Sequence, residues 1–232
     1  MNFVSFCALA MASLLFLVGS CLSQDKGGVD QTVALPEVQR ILSSAQLSGS
    51  LEYWGLCDGS KPRSEFPRLR PVSGHEGSTR DVLQELFAED GKMRVSQESD
   101  GKIRMVETDV PKDLLEVKIH HLSFPSNYHG PKMAVMAILQ SQEVMLFITQ
   151  HNVVPKGGWG LPGDDAIAIH KPSVPGELND VIVEQALDYI LQTFPGFWIY
   201  QNCHDPERRR TVSFGFYDNL KPVSDASPPK TK

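Results

Sequence analysis

The chain has 232 residues and a formal net charge of −6, with 22% charged and 41% hydrophobic residues. This acidic balance argues against nucleic acid as a partner, because affinity for a phosphate backbone comes from clustered positive charge. The length suits one domain or two small ones.

The first 23 residues predict a targeting segment. Residues 1–24 contain no charged side chain, and Cys7–Val18 is apolar apart from Ser13. Small residues follow at Gly19 and Ser20, as in the cleavage zone of a secretory signal peptide. We therefore expect a signal peptide over residues 1–23, cleavage near Ser23, and a mature chain that is secreted or periplasmic.

Two alternatives remain open for this segment. Phe3–Leu22 is long enough to span a bilayer as an uncleaved anchor. Val18-Gly19-Ser20-Cys21 resembles the lipobox of bacterial lipoproteins, in which the cysteine is acylated after cleavage. Membrane contact is therefore expected only through an uncleaved anchor or a lipidated Cys21.

The mature chain begins with a linker, a short helix at Pro36–Ala45 and a strand at Ser50–Cys57. A clearer helix follows, because Ser78-Thr79-Arg80-Asp81 is typical of a capped helix start. Its apolar residues fall on one helical face: Val82, Leu83, Leu86 and Phe87.

Two strands, Met93–Glu98 and Lys102–Asp109, flank Ser99-Asp100-Gly101 and predict a hairpin. A two-residue turn would separate its apolar residues onto opposite faces. A three-residue loop with Gly101 in the left-handed conformation pairs Val95 with Met105 and places them together. We therefore predict the three-residue loop.

The second half of the chain is also predicted to alternate between strands and helices. Leu114–Leu122 is predicted as a strand, and a helical stretch runs from Pro131 to about Gln150 with a break near Ser141. Glu177–Thr193 is predicted as one helix. The last elements are two strands, Phe197–Cys203 and Thr211–Tyr217, and the tail over residues 221–232 is predicted to be disordered.

A helix followed by a hairpin thus occurs twice. Neither copy buries its apolar face alone, so both need further strands. We predict an α+β fold, with mature residues 24–220 forming two helix-plus-hairpin units, about 32–150 and 151–220. With the additional strands they share one core.

These units carry a family resemblance. The run VLQELFAEDGKMRVSQESDGKIRMVET (residues 82–108) and the segment PGFWIYQNC (residues 195–203) resemble the short N-terminal (STN) modules of secretins and TonB-dependent receptors. The arrangement also resembles a group of secreted bacterial proteins of unknown activity. The resemblance implies a module without enzymatic activity that docks proteins in the envelope.

Two cysteines remain after the targeting segment, Cys57 and Cys203, and an even pair in an exported chain predicts a disulfide. The bond would close a loop of roughly 146 residues. Loop entropy would give about 5 kcal/mol, although measured disulfides more often contribute about 2–4 kcal/mol. The alternative is two buried free thiols.

Candidate chemistry is sparse. No Gly-x-Ser-x-Gly, His-Glu-x-x-His or Cys-His-Asn pattern is present, so no catalytic residue, metal site or cofactor is assigned. Adjacent His120 and His121 point to opposite faces of a strand and do not readily share a metal. The alternative function is a secreted hydrolase or metal-dependent enzyme that uses His120, His129 or Asp164.

The preferred function is a non-catalytic binding or scaffolding module with an envelope protein as partner. The partner would add a strand to an exposed hairpin edge. Trp159, Trp198 and Tyr200 are the candidate contact residues. Trp198 and Tyr200 share one face of their strand, and burial on both faces is the competing interpretation.

Overall fold

The computed structural model describes residues 31–56, 67, 69–70, 77–156, 172–204 and 210–219. Within them the chain is an α+β protein of five helices and eight strands. The helices are α1 (Gln31–Ser44), α2 (Thr79–Leu86), α3 (Gly130–Leu139), α4 (Gln142–Gln150) and α5 (Val183–Thr193). The strands are β1 (Gly49–Leu56), β2 (Met93–Gln97), β3 (Ile103–Glu107), β4 (Lys118–Ser123), β5 (Val153–Lys156), β6 (Glu177–Ile182), β7 (Gly196–His204) and β8 (Arg210–Asp218).

Six strands form a mixed sheet in the order β2-β3-β1-β7-β8-β5. β1 is central and runs parallel to both β3 and β7, so that Gly49 lies opposite Ile103 on one side and Phe197 on the other. β2–β3 and β7–β8 are antiparallel hairpins on either side of β1. β4 and β6 form a separate antiparallel pair.

Each face of the sheet is covered by its own hydrophobic cluster. The front cluster joins α1 and α2 to the sheet, and the back cluster joins α3, α4, α5 and β4 to it. Neighbouring strand residues point to opposite faces, so Phe197 and Ile199 enter the front cluster while Trp198 and Tyr200 enter the back one. The two predicted units therefore share a sheet with two clusters, rather than a single core.

The predicted hairpin register is confirmed. Val95 pairs with Met105 and Gln97 pairs with Ile103. The amide of Glu98 donates to the carbonyl of Lys102 at 2.9 Å, which leaves a three-residue loop that ends at Gly101 with φ +89°. Glycine adopts this conformation without the strain that a side chain would bring.

Two helix predictions are also confirmed. Ser78 is the N-cap of α2, and its hydroxyl accepts from the backbone N–H of Asp81 at 3.3 Å. All four residues of the predicted apolar face are buried. The long helical stretch breaks at Ser141, where α3 and α4 meet at 67°.

The prediction of one helix over Glu177–Thr193 is wrong in its first third. Residues 177–182 form β6 and pair with β4, and the helix begins only at Val183. The side chain of Gln185 accepts the Ile182 N–H at 3.1 Å. The N–H groups of Val183 and Glu184 donate to carbonyls in the 115–117 segment. These contacts occupy the first-turn donors of the helix and fix its start.

Two strand predictions also need correction. The predicted strand Leu114–Leu122 begins later, at Lys118, because residues 113–116 form a turn whose Leu114 and Leu115 are buried. β5 was not predicted at all, since Pro155 lies within it. Proline is tolerated at the edge of a sheet, and β5 is an outer strand.

Candidate functional site

The histidines of β4 lie on the surface. His120 Nδ1 is 3.2 Å from Asp180 Oδ1, and His121 Nδ1 is 3.0 Å from Asn179 Oδ1, so both pair across to β6. His129 is the N-cap residue of α3. Among the described residues, no group of three or more His, Cys, Asp or Glu side chains is placed to hold a metal ion.

Several predicted site residues lie outside the described residues, namely Cys21, Cys57, Trp159 and Asp164. Cys203 is buried on β7. It is the one cysteine within the described ranges, so its pairing with Cys57 stays a prediction. The register favours that pairing, because Gly55 at the end of β1 lies directly opposite Cys203.

The expectation that Trp198 and Tyr200 form a contact surface is wrong. Both side chains are fully buried, because the back cluster covers their face of the sheet as completely as the front cluster covers the other. The Trp198 indole N–H donates to Asp188 Oδ1 at 2.9 Å. Burial raises the pKa of Tyr200 to about 12, and its hydroxyl bonds to Arg210 and Asn202. Trp198 and Tyr200 are therefore core residues whose hydrogen bonds connect β7 to α5 and β8.

A buried ion network lies between β3 and α5. Arg104 Nη1 and Nη2 donate to the two carboxylate oxygens of Asp188, which also lies 3.1 Å from the ammonium of Lys102. The guanidinium also contacts Glu98 at 3.0 Å and Glu184 at 3.5 Å. It lies 5.6 Å from the ring centroid of Trp198. Such a fully partnered network fixes how α5 sits on the sheet.

The pKa values of two network members, Arg104 and Glu184, are raised for different reasons. Burial alone would lower the pKa of Arg104, but hydrogen bonds to Asp188 and Glu98 outweigh it and raise the pKa. Burial raises the pKa of Glu184, and the nearby Arg104 only partly offsets this. Arg104 is therefore a permanent cation, whereas Glu184 is the acid that gives up its charge more readily than an exposed glutamate.

A second buried acid lies on the central strand. Glu52 is completely enclosed on β1. Ser50 Oγ donates to its Oε1 at 3.0 Å, and the ammonium of Lys112 lies 2.9 Å from its Oε2. Sequence reasoning assigned no role to either this pair or the Arg104 network. The one available signal was a charged residue inside an apolar strand, SLEYWGL.

Along half of the outer edge of β2, the backbone groups are already hydrogen-bonded within the chain. Gln84 of α2 accepts from the Val95 N–H at 2.9 Å and donates to the Met93 carbonyl at 3.5 Å. Arg94 Nη1 donates to the same carbonyl at 3.2 Å, and the Met93 N–H donates to the backbone carbonyl of Asp90 at 3.1 Å. These bonds occupy the positions that an added strand would use.

The remaining half of that edge borders an open concavity of about 560 Å³. Ser78 and Arg80 line one side, and residues 95–98 line the other. Arg80 is already ion-paired with Asp81 at 2.6 Å, and Glu98 with Arg104. The charged groups of Arg80 and Glu98 in this concavity thus already have ion-pair partners within the chain.

The opposite edge of the sheet has a different character. The exposed large hydrophobic side chains of the described residues all lie on α3, α4 and β5. They are Met136, Met145, Leu146 and Val154, and we call these four residues the apolar surface. α4 packs directly against β5, so three of the four lie on two neighbouring elements at this edge.

No single helix among the described residues is long and apolar enough to cross a membrane. The bent pair α3 and α4 meets the length and composition criteria only when its two helices are counted together.

No family model, no curated protein and no solved structure matches this chain, so its resemblance to STN modules stays a prediction.

Proposed function

We propose that this chain is an exported, non-catalytic binding module that docks a protein partner of the cell envelope. The observation that carries this proposal is the apolar surface. Met145 and Leu146 are 50% and 54% exposed, and Met136 and Val154 are 37% and 36% exposed. Single exposed apolar residues are ordinary, but Met145 and Leu146 are neighbours on α4 and are both about half exposed, and adjacent exposed apolar side chains are typical of an interaction site.

The composition around this surface supports a protein partner. Residues 144–155 contain no Asp, Glu, Lys or Arg, although 22% of the chain is charged. Interfaces between proteins are depleted of charge at their centres and enriched in methionine. Methionine side chains also adapt to the shape of what they bind.

Two predictions from the sequence support export. The predicted targeting segment over residues 1–23 directs the chain out of the cytoplasm. The predicted disulfide between Cys57 and Cys203 would persist in the oxidising compartments outside the cytoplasm. Both agree with a partner in the envelope.

The test is capture of a partner from envelope extract by the tagged mature chain. Replacing Met145 and Leu146 by glutamine should abolish capture, because the exchange removes apolar area without adding charge. The matched control exchanges the two residues, M145L with L146M, and should retain capture, since it keeps the apolar area.

Both variants should remain folded, because each side chain is already about half exposed and the glutamine exchange should cost no more than about 1–3 kcal/mol in total. Capture that is equal in the glutamine variant and in the control would refute the proposed surface.

A further inference from the structure

The methionines of the mature chain lie in two different settings. The sequence has seven methionines, and two of them belong to the predicted targeting segment. Of the others, Met93 and Met105 are completely enclosed in the front cluster, and Met133 is partly buried. Met136 and Met145 belong to the apolar surface and are 37% and 50% exposed. An oxidant in solution therefore reaches Met136 and Met145 first.

Oxidation changes the chemical character of a methionine side chain. Hydrogen peroxide transfers an oxygen atom to the thioether sulfur, which loses two electrons, and the rest of the peroxide leaves as water. The product is a sulfoxide, a polar group whose oxygen accepts hydrogen bonds. Methionine sulfoxide reductases reverse the step with two thiols, which become a disulfide while the oxygen leaves as water. The modification is therefore reversible.

The surroundings of Met145 make docking sensitive to this change. Its neighbour Leu146 is 54% exposed, and residues 144–155 include no Asp, Glu, Lys or Arg. A partner docked on the apolar surface would take the sulfoxide oxygen out of water. Enclosing a polar group that gains no hydrogen bond is unfavourable, whereas in the free chain the oxygen stays hydrated. Oxidation therefore disfavours the bound state.

The same change leaves the fold in place. α4 is anchored by Val144 and Ile148, which are buried in the back cluster. Met145 is half exposed, so a sulfoxide oxygen there contacts water in the folded chain. Oxidation of Met93 or Met105 would instead place a polar group inside the front cluster. Reaction at the surface thus separates loss of docking from loss of the fold.

We propose that Met145 is an oxidation site through which peroxide releases the partner docked on the apolar surface. The inference rests on the proposed function and adds a regulation of the same surface. Formation of the sulfoxide turns docking off, and its reduction turns docking on again. Met145 has this role rather than Met136 because it is the more exposed of the two and lies beside Leu146 on α4.

The first measurement is the order in which the methionines react. The folded mature chain is treated with hydrogen peroxide, the peroxide is removed with catalase, and sulfoxides are located by peptide mass spectrometry. Met145 should react at least about tenfold faster than Met93 and Met105, because enclosed side chains react only when the fold opens. Equal rates at the three positions would overturn the assignment.

The second measurement is capture of a partner from envelope extract by the tagged chain, before and after peroxide treatment. Capture by the wild type should fall by about fivefold or more and return after treatment with a sulfoxide reductase. M136L keeps Met145 and should lose capture to the same extent. In M145L the amounts before and after peroxide should be equal, whatever their level relative to the wild type, because leucine takes no oxygen from peroxide.

The outcomes separate this inference from the proposed function. Wild-type capture that survives oxidation of Met145 would leave the binding function intact and overturn release by peroxide. An equal loss in M145L would also overturn it, because another residue would then be responsible. No capture by the untreated wild type would refute the proposed function. Retention on a phenyl column then decides the role of Met145, since oxidation should lower retention of the wild type and not of M145L.

Discussion

Replacement of Asp188 by alanine tests the role of the buried ion network. The substitution leaves Arg104, whose side chain is 8% exposed, without its closest partner. It also removes the acceptor of the Trp198 indole N–H. Breaking a buried ion pair from one side costs about 3–5 kcal/mol. Glu98 and Glu184 still contact the guanidinium, so we expect the lower end, about 3 kcal/mol.

The assay is urea unfolding followed by tryptophan fluorescence. With a slope of about 2 kcal/mol per molar urea, the midpoint should fall by about 1.5 M. The matched control is E37Q, which breaks the surface pair of Glu37 with Arg40 on α1. It should cost less than about 0.5 kcal/mol, because exposed ion pairs contribute little.

A second variant separates the missing charge from the missing contacts. Replacing the pair together, R104M with D188L, removes both charges from the interior and should cost less than D188A alone. A D188A protein within about 0.5 kcal/mol of E37Q would refute the reasoning. So would a double variant less stable than D188A.

Three further outcomes are expected. G49A should lower the free energy of unfolding by about 2–3 kcal/mol, because a Cβ at this position would lie 2.1 Å from a carbonyl oxygen of β3. The control G91A should have the stability of the wild type, because a Cβ there would meet nothing within 4 Å. Equal urea midpoints for the two variants would contradict this. Burial raises the pKa of Glu184 above 4.5, so the folded wild type holds the proton of this carboxyl more tightly than the unfolded chain does. The wild type should therefore lose stability relative to E184Q as pH rises from about 4 to 7. A stability difference between the two proteins that does not change with pH would exclude this role of Glu184. The unreduced mature chain should show no free thiol at Cys57 or Cys203 in denaturant, and two after reduction; equal counts would disprove the bond.

Local patterns in the sequence predicted the local structure well. The hairpin register followed from the requirement that Val95 and Met105 lie on the same apolar face. This requirement does not depend on which element covers that face. The break at Ser141 and the cap at Ser78 followed from side chains that act on their own neighbours. In each case the information lies within a few residues, so tertiary context does not alter it.

Features that depend on distant parts of the chain were not predictable. Residues 177–182 form a strand because β4 offers them an edge, although their sequence continues smoothly into the helix. Trp198 and Tyr200 are buried because helices from elsewhere in the chain cover their face. Arg104 and Asp188 are typical surface residues in sequence, and only the fold brings them together. The apolar surface was missed because α3 and α4 looked like core throughout.

The position of β1 between two hairpins has a consequence for biosynthesis. During translation β1 can join β3 early, but the site for β7 stays vacant until residues 196–204 have left the ribosome. Throughout that interval an apolar central strand displays unpaired backbone, which invites misassembly. Export before folding, which the proposed function implies, would move this vulnerable period across the membrane.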